Sequence, residues 1–560
     1  MPAENPPGFP FDINGDPDRT INYRSPQPQP QPYAEQPTRM DFGGTQQMFT
    51  PPPQQHQQQG QWRQPEELGY DLPPVVHAPV EKRGGPKGLI IALIAAVVVG
   101  LVGGGGVWAF STLSGGGAQP AEALPAGALA YARIDLDPAA NQKLALFNIA
   151  RKFTVTKDAF SGEDPREAFF KAISADNENF EKIDYAADIE PWLGDRIGFA
   201  VMPGADAKEP GFAVAIQVKD ADAARAGIAK LDAGSDTKTG LAFRGDYAIV
   251  SATQAEADKY STGPTLAESA DFTSDMEALG EPGVLSFWGD LGKLVQLGGA
   301  QVAADPTLTE QIKNGRFAGA LRFDGSYAEL AAITRGVTSP IPVTGTPVKL
   351  GELPDTTAGA LAISGLGEGV KNGWDQIVKS AESAGGGAQF TQFITQAQQQ
   401  FGLVLPDDLA TLLGESVTVA VDSEGLDGNM PNAGAVLATD PAKAGEVLTK
   451  VEQALAVAGQ PLQLAKAPGD GKLVVATNQD YANKLAEAGT LKDSETFQTA
   501  VPNADTASFG LFVDLDKIEN LYLQGMKDED KANLQVLRAV GMSGGYSGSE
   551  ANFSLRVLFN

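Results

Sequence analysis

The chain has 560 residues, 42 basic against 70 acidic side chains for a formal net charge of −28, no cysteine and two histidines. This balance excludes a nucleic-acid binder, which needs a basic face to neutralise phosphates; the densest basic group is Lys82-Arg83 with Lys87 nearby. The absence of cysteine excludes disulfides, thiolate nucleophiles and cysteine-ligated metal centres, and suits a bacterial envelope protein large enough to bury a core without them.

Residues 1–87 are low in complexity. Pro26-Gln27-Pro28-Gln29-Pro30-Gln31-Pro32 alternates two residue types, and Pro51-Pro52-Pro53 runs into Gln54, Gln55, His56, Gln57, Gln58 and Gln59. Too few apolar side chains are present to offset the entropy of ordering. The expectation is a disordered cytoplasmic tail with local polyproline II character. His56 and His77 both fall within it.

No charge occurs over residues 88–110, from Gly88 and Leu89 to Trp108 and Phe110. A helix of that length spans a hydrocarbon core of about 30 Å, so one transmembrane helix is predicted. Lys82, Arg83 and Lys87 precede it and no basic residue follows until Arg133. The positive-inside rule therefore puts the N-terminus in the cytoplasm and residues 111–560 outside the plasma membrane. Trp108 and Phe110 stand where an interfacial aromatic anchor is expected. Gly100 and Gly104 have the GxxxG spacing that permits close helix pairing and a weak homodimer. Residues 111–121 read as a flexible stalk. Ala121-Glu122-Ala123 resembles a small-residue cleavage site, but the apolar run is longer and further from the N-terminus than a signal peptide's core.

Beyond the stalk the sequence repeats itself in order. Asp188-Ile189-Glu190-Pro191-Trp192-Leu193-Gly194-Asp195 leads into an alternating run, as does Asp408-Leu409-Ala410-Thr411-Leu412-Leu413-Gly414-Glu415. Runs at 212–218, 247–253 and 285–291 have counterparts at 433–438, 472–477 and 509–515. Each series closes on a hairpin signature, with turns at Asp324-Gly325-Ser326 and near Gly548-Ser549-Glu550. Copy one is placed at 122–337 and copy two at 351–560, with a linker over 338–350. Strands of five to eight residues, intervening helices and consecutive hairpins predict an α+β fold. Each copy would be a mostly antiparallel sheet with packed helices. Asp220 and Asp440 read as N-caps. Phe169, Phe170 and Ile173 form one apolar helical stripe, and Phe390, Phe393, Ile394, Ala397 and Phe401 another; both are expected to face the core, as are Trp192 and Leu412.

No residue set for catalysis emerges. With no histidine after the membrane run, a Ser-His-Asp triad, an HExxH zinc site and histidine acid/base chemistry are excluded there. Walker A and GxGxxG patterns are absent. Acidic pairs are too numerous to nominate a hydrolase. Asp135 and Asp137, two apart at the end of a strand, face one side and admit a calcium site, although capping before Pro138 explains them more simply. Residues 422–428 depart from a calcium loop at Leu426 and read as a hairpin loop. No cofactor and no metal ligand are nominated.

The run Leu124-Pro125 to Ala130-Tyr131, then Ile134-Asp135-Leu136-Asp137-Pro138 and residues 147–153, resembles the opening of a bacterial, mostly actinobacterial, domain family of unknown function, number 3352. The resemblance implies a Pro/Gln/Gly-rich leader, one span and a duplicated outer domain, and it carries no catalytic residues. The expected function is a non-enzymatic envelope protein that binds a partner protein or a lipid ligand. A lipid or lipoprotein carrier with an apolar cavity is the first alternative, and a carboxylate-dependent hydrolase the second.

Overall fold

Alternating apolar and polar residues make strands, and every strand pair here is antiparallel. The computed structural model describes residues 118–560, apart from 139, 155, 157–163, 175–182, 207–208, 235–237, 298–305, 339–345, 384–385, 427–429 and 461–462. The tail, the apolar run with Gly88, Leu89, Gly100, Gly104, Trp108 and Phe110, and the flanking Lys82, Arg83 and Lys87 lie outside the described residues. Among the described residues no helix is long and apolar enough to cross a membrane.

The first half contributes β1 (Ala130–Asp135), β2 (Leu193–Asp206), β3 (Glu209–Val218), β4 (Gly240–Arg244), β5 (Tyr247–Ser251), β6 (Leu285–Asp290), β7 (Arg316–Asp324) and β8 (Tyr327–Arg335). The second contributes β9 (Thr357–Ser364), β10 (Ser416–Asp422), β11 (Ala433–Ala438), β12 (Ala465–Gly469), β13 (Lys472–Ala476), β14 (Phe509–Asp514), β15 (Leu537–Ser547) and β16 (Glu550–Phe559). Among the described residues these form one sixteen-stranded sheet, ordered β12-β13-β11-β10-β9-β14-β15-β16-β8-β7-β6-β1-β2-β3-β5-β4. The expectation of two sheets is thus corrected: the last strands of the two halves, β8 and β16, pair with each other and fuse them.

Read outward from that seam, the halves follow one order: eighth strand, seventh, sixth, first, second, third, fifth, fourth. Registers agree as well. Ile134 lies between Ile197 and Leu285, and Ile363 lies between Val417 and Phe509. Two-residue turns, Gly325-Ser326 and Gly548-Ser549, close the β7–β8 and β15–β16 hairpins. Gly548 has φ 64°, a left-handed conformation that glycine adopts without steric cost.

One sheet face is closed in the same way in both halves. In the first, the helix Ala270–Leu279 and the 3-10 turns Pro120–Glu122 and Leu266–Glu268 cover Tyr131, Ala200, Trp288 and Ala318. In the second, the helix Glu495–Ala500 and the turns Leu350–Glu352 and Leu491–Asp493 cover Ala360, Ala420 and Phe512. At each centre two aromatic rings meet edge to face: Phe272 and Trp288 at 5.7 Å and 77°, Phe497 and Phe512 at 5.2 Å and 81°. This is the favoured geometry for ring quadrupoles. The outer edges match too. The helix Gln254–Tyr260 begins with a glutamine whose amide bonds the free edge of β4 at both the Leu241 N–H and C=O. Gln479, first residue of the helix Gln479–Ala486, donates to the Lys466 carbonyl on β12. Blocking an edge strand in this way removes a template for pairing with another chain.

The opposite face differs. In the first half, the helices Ala140–Ala150 and Pro165–Ser174 bury Leu146, Phe147 and Phe170 against Ile134, Ile197 and Leu285. In the second, the helices Leu366–Ser383, Gly387–Phe401 and Asp407–Leu413 pack chiefly on one another and on Pro441–Val457. Leu361 and Val419, opposite each other across β9 and β10, stay 42% and 46% exposed.

Both N-caps form: Asp220 accepts from the Ala223 N–H, and Asp440 from those of Ala442 and Lys443. Trp192 is buried, and Leu412 packs against Ala444, Leu448 and Leu473. Other expectations need correction. The end of the stalk belongs to the fold, because Pro120 and Ala121 are buried beneath the sheet. Ala121 and Ala123 of the cleavage-like triplet are therefore both covered. Val348 and Leu350, assigned to the linker, are buried in the second half's core. The second aromatic stripe is not core: Phe393 is 59% exposed and only Ala397 of the helix Gly387–Phe401 is buried, because that helix lies on other helices rather than on the sheet.

Candidate functional site

The β8–β16 seam puts a cleft over the middle of the sheet. Ala331 faces Ser554 across it, and Tyr327 and Arg335 face Leu558 and Glu550 at its two ends. The hairpin turns make residue 327 of β8 the counterpart of residue 550 of β16. The seam is therefore self-complementary, with a pseudo-two-fold axis through the Ala331–Ser554 pair. Over it opens a cleft of 390 Å3. Its walls are equivalent pieces of the halves, the end of the helix Ala270–Leu279 on one side and residues 502–507, just after the helix Glu495–Ala500, on the other.

Glu329 lies at the floor, 6% exposed, and is the acidic residue among those lining the cleft. It accepts from Arg322 Nη1 at 3.1 Å, from Arg556 Nε at 2.9 Å and from Ser554 Oγ at 2.8 Å. Burial works against ionising it. The positive charge of Arg556, the Ser554 and Arg556 hydrogen bonds and the charge of Arg322 outweigh that, and hold the carboxyl below the usual glutamate range. Arg322 is fixed further by the carbonyls of Glu281 and Leu279, and Arg556 by that of Thr499. Asn503, on the rim, has φ 57°, a left-handed conformation that asparagine tolerates better than most residues.

Beside the cleft, Asp275 is buried and takes hydrogen bonds from Trp288 Nε1 at 2.9 Å and Arg316 Nε at 2.7 Å. Arg335 reaches Asp275 and also spans the seam to Glu550 at 3.2 Å. A second clasp joins the halves at the sheet's other face. Thr154 exchanges hydrogen bonds with Asn533, and Phe153 meets Phe559 edge to face at 5.9 Å.

The acidic residues singled out from sequence lie elsewhere. Asp135 is fully buried and accepts from Arg133 at 2.5 Å and Arg196 at 3.2 Å. β1 ends at Asp135, so Asp137 leaves the strand and pairs with Lys143 at 2.9 Å. The two carboxylates do not converge, which corrects the calcium reading. Asp422 and Glu424 converge on Lys484, at 2.9 and 3.0 Å, and the Thr356 hydroxyl joins them. Among the described residues no group of three or more His, Cys, Asp or Glu side chains is placed to hold a metal ion. Sequence reasoning missed Glu329, Arg322 and Arg556. The available signal was an acid inside the apolar strand Tyr327-Ala328-Glu329-Leu330-Ala331 and a base inside Ser554-Leu555-Arg556-Val557-Leu558.

Comparison with curated proteins gave no match, and comparison with solved structures gave none. A protein-family model does match residues 91–245, from inside the apolar run to the end of β4. It is described as a protein of unknown function, DUF3352, and over that stretch this is the family the chain resembles.

Proposed function

We propose that this chain is a single-pass bacterial envelope protein whose extracytoplasmic region, residues 111–560, is a duplicated, non-enzymatic binding module. The observation that carries the reading is the cleft over the seam. It lies where two like-folded halves meet, it is lined by side chains of both, and its carboxylate is held ionised between two guanidiniums. Such a carboxylate is a poor general acid. Hydrolysis by paired carboxylates needs a second one about 5–10 Å away and one partner kept protonated. At 390 Å3 the cleft falls within the range of about 300–1,000 Å3 typical of small-molecule sites.

Shared strand order, shared registers and the paired Phe272–Trp288 and Phe497–Phe512 contacts support descent of the halves from one unit. The apolar run at 88–110 and its basic flank support the membrane anchor. One observation favours the lipid-carrier alternative instead, the exposure of Leu361, Val419 and Phe393 in the second half.

The test is native mass spectrometry of the full-length protein extracted from its membranes, alongside protease treatment of intact cells. A small polar ligand retained by the protein, with residues after 118 digested from outside, is the expected result. Bound lipid favours the carrier. Digestion confined to the tail overturns the topology.

A further inference from the structure

We propose that the seam cleft is a site for a small organic carboxylate, with Arg556 as the residue that grips it; this rests on the binding-module reading above. Three observations carry the inference. First, the lining has two guanidiniums, Arg322 and Arg556, against one carboxylate, Glu329, which leaves a surplus of one positive charge in a chain whose net charge is −28. Second, Arg556 is held in place yet has capacity to spare. Its Nε is taken by Glu329 and its Nη1 by the Thr499 carbonyl, and its guanidinium carbon lies 4.3 Å from the centre of the Tyr327 ring. Among the described residues nothing engages Nη2. A fixed guanidinium with a free Nη2 loses little entropy on binding, and its N–H groups offer a carboxylate a charge-assisted hydrogen bond.

Third, the two halves differ in charge at this place. By the hairpin registers, Glu329 corresponds to Asn552, Arg322 to Gly545 and Arg556 to Ile333. All six residues line the cleft. At each position one half carries a charge and the other a neutral residue, although both halves build the same strands. Folding of a half therefore does not require these charges, and their assembly around the axis points to a ligand. The carboxamides of Asn503 and Asn552 and the Thr506 hydroxyl add neutral hydrogen-bonding groups on the walls, so the body attached to the carboxylate is polar and uncharged. A dianion would meet repulsion from ionised Glu329 that a single carboxylate balances better.

The chemistry is shared by a sugar acid and by the C-terminus of a short peptide. Isothermal titration of the full-length protein in neutral detergent separates them, with glucuronate and N-acetyl-Ala-Ala-Ala as probes. Glucose, N-acetyl-Ala-Ala-Ala amide and inorganic phosphate serve as controls. One of the two carboxylates should bind saturably, and its neutral analogue should bind at least about tenfold more weakly. Asn552→Asp keeps the acceptor used by the Gly545 N–H and adds a negative charge to the wall. It should weaken the carboxylate about tenfold with no change in melting temperature. Arg556→Lys should weaken it also, since a single ammonium cannot hold Glu329 and the Thr499 carbonyl and still offer a fixed N–H where Nη2 lies. Equal binding of the neutral analogue, preference for phosphate, an Asn552→Asp variant of undiminished affinity, or no saturable binding of either carboxylate overturns the inference. The first three leave the binding-module reading standing, whereas conversion of a probe to product sinks that reading.

Discussion

Replacing Glu329 with glutamine removes one charge at the seam and nothing of its volume. In the native protein the carboxylate takes hydrogen bonds from Arg322, Arg556 and Ser554, at 3.1, 2.9 and 2.8 Å. Hydrogen bonds to charged groups are worth about 1.5–3 kcal/mol each, and an uncompensated partner left in a buried pair costs more. The two guanidiniums are each 18% exposed and open to the cleft, so water recovers part of the loss. The amide also retains one acceptor. A destabilisation of about 2–3 kcal/mol at neutral pH is expected, read from the urea midpoint of the full-length protein.

The pH dependence gives the sharper test. Folding lowers the Glu329 pKa below its ordinary value of 4.5, so the folded state favours the ionised form. The stability this contributes is present above 4.5 and is lost as pH falls through the lowered folded-state value. The gap between wild type and Glu329→Gln should therefore be widest at neutral pH and close progressively in acid. A variant as stable as wild type at pH 7, or a gap that stays constant into acid, would refute the reasoning.

Other perturbations test the two cores. Phe512 is fully buried against Phe497, so Phe512→Ala should cost about 3–5 kcal/mol, and Trp288→Ala a similar amount at the matching place in the first half. If the sheet is one cooperative unit, circular dichroism and tryptophan fluorescence should give coincident midpoints in either variant. Gly227→Ala would bring a methyl within 2.1 Å of Trp192 Nε1, whose proton bonds the Asp188 carbonyl. That crowding should lower stability by about 1–3 kcal/mol, measurable by the same titration.

The sequence revealed those parts of the fold that depend on local chemistry. The turns at Gly325-Ser326 and Gly548-Ser549, the caps Asp220 and Asp440, and the strand cores at 196–202 and 433–438 depend on residues close in the chain. β4 and β12 were missed. They are short edge strands, and β12 carries Pro468, which usually argues against a strand but is tolerated at an edge. The seam was invisible for a different reason. Pairing of β8 with β16 joins residues more than 200 positions apart through backbone groups that every strand possesses, so no side-chain pattern announces it. The cleft depends on the seam, which hid Glu329 and Arg556 in turn. The aromatic stripe at 390–401 misled because its periodicity records one apolar helix face and cannot say whether a sheet or other helices cover it.

The pairing of β8 with β16 in its observed register is the claim on which cleft, symmetry and proposed binding site all depend. The chain lacks cysteine, so introduced pairs report without background. Leu330 and Leu555 are directly opposed. Facing residues of antiparallel strands have Cα atoms about 4.5–5.5 Å apart, within disulfide reach. Under mild oxidation, full-length protein carrying Leu330→Cys with Leu555→Cys should form an intramolecular disulfide. Ala331→Cys with Leu555→Cys, whose side chains point to opposite faces, should not. Equal bridging in both pairs, or disulfides formed only between molecules, would contradict the seam and everything built on it.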